Sequence, residues 1–506
     1  MIGRGDATRR FNWAWLLILL AYLPQTHANP AHADVPGIAW FEGDVGAAFN
    51  FAQAASKPVF LYWGAKWCPP CQQLKSSVFS RKDFIAKSKE FVAVYLDGDD
   101  PGAQRWGEKF HVTGYPTVVI LRADQKEIMR IAGGMDLSLY ADLLDIALGD
   151  VKPMVEVIAA MHADGAAPSH GDCQRLAYNA WDLSKYSDPE RHALAKDLAR
   201  SASTCGDLTP AERARLTIAS AALGRTPGTV TQVIAIVEDP SLAPRVADAL
   251  ESLDDAFYKD VQARGAATAG QFLAAWTRTM DGIAGDPAVI DADRLSAIGT
   301  TLALAKQFAE DHKVPDKLAA AARAQVAATL ARKYDPYVRA GIVNSASFID
   351  DQLGDSDAEY AMLKAELATA RAPYYYMLDL GDIEEKRGHA ELALAWYERA
   401  YRESQGTATR FQWGVEYLSA LLRLAPTDHV RIRDTGMAVI GELDGPDRIQ
   451  ARTRIGLEKL DGRLRKWNLR HRYDADIEAL HARMSGLCGK LPSSEADYSS
   501  CRKFLS

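Results

Sequence analysis

The chain has 506 residues, more than one hydrophobic core usually supports, so two or three domains are expected. Its 48% hydrophobic and 25% charged residues are those of an ordinary soluble globular protein. A formal net charge of −7 with no long run of Lys and Arg argues against nucleic acid as a partner, because phosphate binding needs clustered cations.

At the N-terminus, Arg4, Arg9 and Arg10 precede an apolar run from Trp13 to Leu23 that Pro24 ends. Small-residue patterns follow at Thr26-His27-Ala28 and Ala31-His32-Ala33. This layout predicts a secretory signal peptide over residues 1–28, cleaved after Ala28 or Ala33. The apolar run is about half the ~20 residues that a membrane-spanning helix needs, which disfavours an uncleaved anchor. Cleavage takes three Arg and one Asp, a net +2, so the mature charge would fall from −7 to −9. The expected location is the periplasm or the exterior, with no membrane span left after cleavage and with conditions in which disulfides persist.

Residues 36–149 read as alternating strands and helices. A short strand at Ile38–Phe41 is followed by helical spacing over 46–56 and a buried central strand at Pro58–Trp63. Helix formers extend from Pro69 to about Ala86. A second strand at Phe91–Leu96 ends in Asp97-Gly98-Asp99-Asp100, and a short helix covers 102–110. Strands at Thr117–Leu121 and Glu127–Ile131 form a hairpin, and a last helix runs from about Leu137 behind Gly133-Gly134. This order predicts an α/β domain with a mixed central sheet and helices on both faces.

The chemistry concentrates at Trp67-Cys68-Pro69-Pro70-Cys71, where the central strand hands over to a helix. A sulfur at a helix N-terminus meets unpaired N–H groups and the positive dipole end, which favour thiolate over thiol by at most ~2 kcal/mol. Pro69 and Pro70 have no N–H to offer, so Cys71 and neighbours such as Lys66 must supply the rest. The expected result is a moderately acidic Cys68, with a rigid Pro-Pro fixing where Cys71 can attack a mixed disulfide. Zinc uses the same CxxC spacing but needs four ligands, and no second CxxC or paired His lies nearby. No metal and no cofactor beyond a redox-active disulfide are expected.

Together with Gly114-Tyr115-Pro116-Thr117, the Trp67–Cys71 motif resembles the thioredoxin family over about residues 36–149. The resemblance implies that Cys68 is the attacking cysteine, Cys71 the resolving one, Pro116 a cis residue packed on the pair, and Trp67 a shield. It also implies that the Tyr115 backbone, beside Pro69 and Pro70, pairs with an incoming cysteine-containing chain. One position departs from the pattern. Many thioredoxins carry a buried acid six residues before the first cysteine, and here that residue is Tyr62, a poor base with an ordinary pKa near 10. Either water or another group, with Asp97 and Asp99 as candidate stand-ins, relays the Cys71 proton, or resolution by Cys71 is slow.

From Lys152 onward β-branched strands vanish and Ala, Leu and Arg recur at helical spacing, as in Ala211–Leu223 and Asp316–Arg332. This predicts a large all-α region of helix pairs, divided near 365 into 152–365 and 366–506. Leu380, Gly381, Gly388, Ala393, Tyr397 and Ala400 resemble one tetratricopeptide repeat, without a clear second copy. The scattered His389, His429, His471 and His481 lack ligand spacing. Six cysteines allow 15 pairings; the economical one joins Cys173 to Cys205 and Cys488 to Cys501, each closure contributing ~3 kcal/mol, and buried free thiols are the alternative.

These features lead to two expectations. The first is an exported thiol–disulfide oxidoreductase acting on cysteine-containing proteins, a reductase or isomerase rather than a strong oxidant. Electrons would come from a membrane-bound donor, and the helical region would recognise a partner or dimerise. The second is a non-catalytic chaperone or assembly scaffold that uses the first domain for docking.

Overall fold

The computed structural model describes residues 37–132, 140–149, 152–164, 168–181, 185–250, 252–445, 448–491 and 496–506. The expected signal peptide and the Gly133-Gly134 break lie outside the described residues.

The first domain is a four-stranded mixed sheet: β1 (Val59–Gly64), β2 (Val92–Asp97), β3 (Thr117–Leu121) and β4 (Glu127–Ala132), in the order β2-β1-β3-β4. β1 pairs in parallel with β2 and antiparallel with β3, and β3–β4 is the hairpin. β1 is buried on both faces because helices cover both. Val59, Leu61 and Trp63 pack with Val45, Phe49 and Ala52 of α1 (Val45–Ala55) and with Ala103 of α4 (Pro101–Lys109). Phe60 and Tyr62, on the other face, pack with Leu74 of α2 (Pro69–Leu74), Phe84 of α3 (Lys82–Lys87) and Leu143 of α5 (Tyr140–Gly149). The period-2 alternation of a strand thus feeds two separate cores.

Two expectations need correction. Instead of a strand at Ile38–Phe41, only Trp40 bridges to Ala93. Its indole packs on Tyr62, Phe79 and Tyr95, so aromatic burial rather than a ladder seats this segment. The single helix expected after the cysteines is three pieces: α2, a π-helical turn at Lys75–Phe79, and α3. The hydroxyls of Ser76 and Ser80 donate to the carbonyls of Gln73 and Ser76, competition that bends helices.

Helices α6 to α24 cover Met154 to Lys503, and among the described residues this region is all helical. Cys173 is bonded to Cys205 and Cys488 to Cys501. The boundary expected near 365 falls inside one cluster, since Val343 and Leu363 pack with Tyr376 and Leu380. No helix among the described residues is long and apolar enough to cross a membrane.

The helical region meets the first domain along several lines. Asn179 and Ala180 bond the backbone of Arg130 and cover the outer edge of β4, removing an exposed sheet edge. Gln73 of α2 donates to Asp293 (2.7 Å), and Arg454 pairs with Glu108 of α4 (3.0 Å). The remaining contacts surround the cysteine pair.

Candidate active site

β1 delivers the chain through Gly64 and Ala65 to Cys68, which is the N-cap of α2. Cys68 and Cys71 are disulfide-bonded, with Cα atoms 5.2 Å apart. The Cys71 N–H donates to Cys68 Sγ (3.2 Å); Pro69 and Pro70, the first two helical residues, have no N–H to add. Gln72 donates to the Lys66 carbonyl (2.7 Å), which ties the turn ahead of the motif to the first turn of α2. Lys66 is exposed and enters the site only through that carbonyl.

Tyr115 and Pro116 are joined by a cis peptide bond. With Trp67, Tyr115 packs against the small cluster of Ala65, Cys68 and Cys71. The Tyr115 ring lies where a Cβ on Gly98 would be 2.5 Å away, so only glycine permits this approach. Gln104 donates to the Tyr115 hydroxyl (3.1 Å), and burial pushes that phenol up to about 12.

The helical region packs over these flanking groups. The Trp67 indole N–H donates to the Thr409 hydroxyl (2.8 Å). Its ring stacks on Tyr375 of α18 (Pro373–Lys386) at 6.0 Å and meets Trp413 of α20 (Thr407–Leu424) edge-on at 4.9 Å. Arg452 of α22 (Ala451–His471) lies over both the Trp67 and Tyr115 rings, 5.4 and 4.6 Å from their centres. Cys68 retains 2% of its exposure, so the disulfide is covered in this state.

Asp99 completes the covering contact. α20 starts at Gly406, which offers no side chain to cap it. The Asp99 carboxylate fills that role from the other domain, accepting from the Thr409 N–H (2.7 Å) and hydroxyl (2.9 Å). Gly406 has φ +85, and a Cβ there would sit 2.1 Å from Asp99 Cγ, so glycine admits the carboxylate. Burial, with the charge of Asp97 adding, holds Asp99 at about 6, against the pull of its Thr409 donors.

Proton handling lacks the usual acid. Tyr62 is fully buried, its hydroxyl 3.5 Å from the Cys71 carbonyl oxygen, and burial plus the nearby Asp97 push its phenol far above the ordinary value. It stays protonated at any working pH and is no base. Of the two candidate replacements, Asp99 is engaged with Thr409 and Asp97 accepts from the Asp99 N–H (3.1 Å).

Thr409, Tyr375, Trp413 and Arg452 lie more than 250 residues downstream of the cysteines, and no motif in the sequence marks them. The uncapped Gly406 before a helix was the one available signal, and it names no partner. His389 and His429 pair with Glu384 and Asp476, and among the described residues no three potential metal ligands gather.

Residues 45–147 match the family described as thioredoxin-like domain. A tryparedoxin of Trypanosoma brucei brucei is 28% identical over 102 residues, covering 16% of this chain and 71% of its own. Among solved structures, a DsbH oxidoreductase shares 18% identity over 22% of this chain and 85% of its own, with a TM-score of 0.21. A thioredoxin from Thermus thermophilus shares 26% over 21% and 85%, with a TM-score of 0.20. The family match, the mixed sheet and the vicinal cysteines at the head of α2 make residues 45–147 a thioredoxin-like domain equipped for thiol–disulfide exchange.

Proposed function

We propose that this chain is an exported reductase or isomerase of protein disulfides, fed by a membrane-bound donor. Its helical region, tetratricopeptide-like around Gly381 and Tyr397, selects the partner. The observation that carries the chemical part is Cys68 as N-cap of α2, its sulfur accepting the Cys71 N–H at 3.2 Å. That donor and the helix N-terminus favour charge on Cys68 in the reduced state.

In the reducing direction the Cys68 thiolate attacks one sulfur of a substrate disulfide. A mixed disulfide forms, and the other substrate sulfur leaves as thiolate and takes a proton from water. Cys71 then loses its proton and attacks Cys68 Sγ, which releases the second substrate thiol and closes Cys68–Cys71. Two electrons pass to the substrate, and a dithiol donor restores the pair. With Tyr62 locked in its protonated form, water carries the Cys71 proton.

The cover over Cys68 requires the helical region to withdraw before a protein substrate can react. The same burial favours the scaffold reading, in which the first domain only docks. One experiment separates the two: dithiothreitol-driven reduction of insulin by the wild-type chain and by Cys68→Ser. Turnover that the substitution abolishes supports the enzyme; turnover equal in both, or none in the wild type, sinks it. A Cys68–Cys71 potential near −270 mV, on the scale of roughly −270 to −120 mV spanned by such couples, marks a reductase. N-terminal sequencing of the secreted chain tests export, with residue 29 or 34 expected first.

A further inference from the structure

Two clefts flank Trp67, one on each side of the cysteine pair, and both are walled by the helical region. The cleft on the Tyr115 side, about 160 Å³, carries Arg452, Lys459 and Arg463 against one carboxylate, Glu416. The cleft on the Pro69 side, about 420 Å³, carries Arg332, Lys333, Arg339 and Arg371 against Glu366 alone. The rims of the site are therefore cationic in a chain whose net charge is −7.

Some of these cations are spent internally. Arg332 pairs with Asp291, Arg339 with Glu366, and Arg463 with Glu416 (3.9 Å). Arg452 differs. It is largely removed from solvent and donates to the Gln412 side-chain oxygen (3.1 Å); among the described residues no carboxylate lies within ion-pairing distance, and Asp99, bound by Thr409, reaches it only as a more distant charge. A guanidinium desolvated without a directly paired anion is costly, and ring faces and a distant carboxylate compensate only in part. Burial draws its pKa below the ordinary arginine value, in keeping with that cost. Lys333 and Lys459 are exposed and likewise have no ion-pair partner among the described residues.

We propose that the substrate is an acidic polypeptide segment, with carboxylates close to its reacting cysteine, and that Arg452 is the residue that reads the first of them. This rests on the oxidoreductase reading above. The position supports it: Arg452 lies over the ring of Tyr115, the residue whose backbone the thioredoxin resemblance offers to the substrate chain. In the covered state Lys459 on one side and Lys333 on the other border the same clefts, so the cationic rims draw an acidic chain to the site ahead of the withdrawal that exposes Cys68. Clefts of one sign focus the potential and raise association rates, and salt screens the effect.

The test uses the full chain, dithiothreitol as electron source, and a set of fluorogenic disulfide peptides that differ only in flanking residues: Glu, Gln or Lys. The Glu peptide is expected to exceed the Gln peptide about tenfold in kcat/KM at low salt, with the Lys peptide slowest, and the spread should collapse at about 0.5 M salt. Arg452→Gln should lower kcat/KM for the Glu peptide more than for the Gln peptide, shrinking the ratio between them, and Arg452→Lys should restore part of the preference. Because Arg452 also packs on two rings, the rim double variant Lys333→Gln/Lys459→Gln supplies an independent check, with a shallower salt dependence expected. Equal rates across the peptides with robust turnover would overturn the proposal and leave the oxidoreductase standing. No turnover of any peptide or of insulin removes both. An Arg452→Gln loss shared equally by Glu and Gln peptides makes Arg452 a packing residue only. Glutathione disulfide turned over faster than the Glu peptide would reassign the clefts to a small anionic disulfide.

Discussion

Thr409→Val is the sharpest probe of how the disulfide is covered. Valine keeps the shape of threonine and removes only the hydroxyl, which accepts from the Trp67 indole at 2.8 Å and donates to Asp99 at 2.9 Å. A neutral hydrogen bond contributes about 1 kcal/mol net and one to a carboxylate about 2, so the covered state should lose about 2–3 kcal/mol. The Thr409 N–H still reaches Asp99, and the stacking of Trp67 on Tyr375 remains. That loss corresponds to an open fraction about 30- to 150-fold larger. The assay is the rate at which the reduced Cys68 thiol is alkylated by iodoacetamide, followed by mass of the peptide that carries it. When opening and closing outrun the reagent, this rate scales with the open fraction. Urea unfolding measured in parallel separates local opening from global loss. A Thr409→Val chain alkylated at the wild-type rate, with both as fast as a free cysteine, would refute the reasoning, because Cys68 would then never have been protected.

Four further outcomes are expected. The Asp99 carboxyl sits at about 6 when covered and returns toward its ordinary value near 4 when water reaches it, so the covered state binds the proton more tightly. Covering is therefore strongest below pH 4, weakens as pH rises to about 6 and is flat above. Protection of Cys68 against dithiodipyridine, which reacts at acid pH, should fall between pH 4 and 6 in the wild type but not in Asp99→Asn. Gly406→Ala places a methyl 2.1 Å from Asp99 Cγ at φ +85 and should expose Cys68 at least as much as Thr409→Val, while reduction of a small peptide disulfide persists. Gly381→Ala puts a Cβ 2.9 Å from the Tyr397 ring in the helical region and should cost about 1–3 kcal/mol, read as a lower urea midpoint with Cys68 chemistry unchanged. Cys71→Ala, finally, should accumulate mixed disulfides at Cys68 that a reducing gel releases, and their absence would argue against Cys68 as the attacking sulfur.

Local sequence determined the α/β domain and the place of its cysteines. The apolar run of β1, rich in aromatic and β-branched residues and bounded by Pro58 and Gly64, reads as a strand buried on both faces, and the prolines after Cys68 fit the first turn of a helix and nothing later in it. Signals of that kind act over a few residues, so one sequence suffices to read them. The bend at Lys75–Phe79 was less legible because it depends on serine hydroxyls choosing backbone partners. The covering of Cys68 was not legible at all. Trp67 meets Thr409 and Asp99 meets the same residue across more than 300 positions of chain, joined only by how the helical region folds back on the first domain. Asp99 shows the difference most plainly: by its neighbours it is a turn residue and a candidate base, whereas packing makes it the missing cap of α20. Composition and periodicity carry propensities, and those decided the elements. Which surface a helix N-terminus finds is set by burial summed over the whole chain, and the tertiary structure alone decided that.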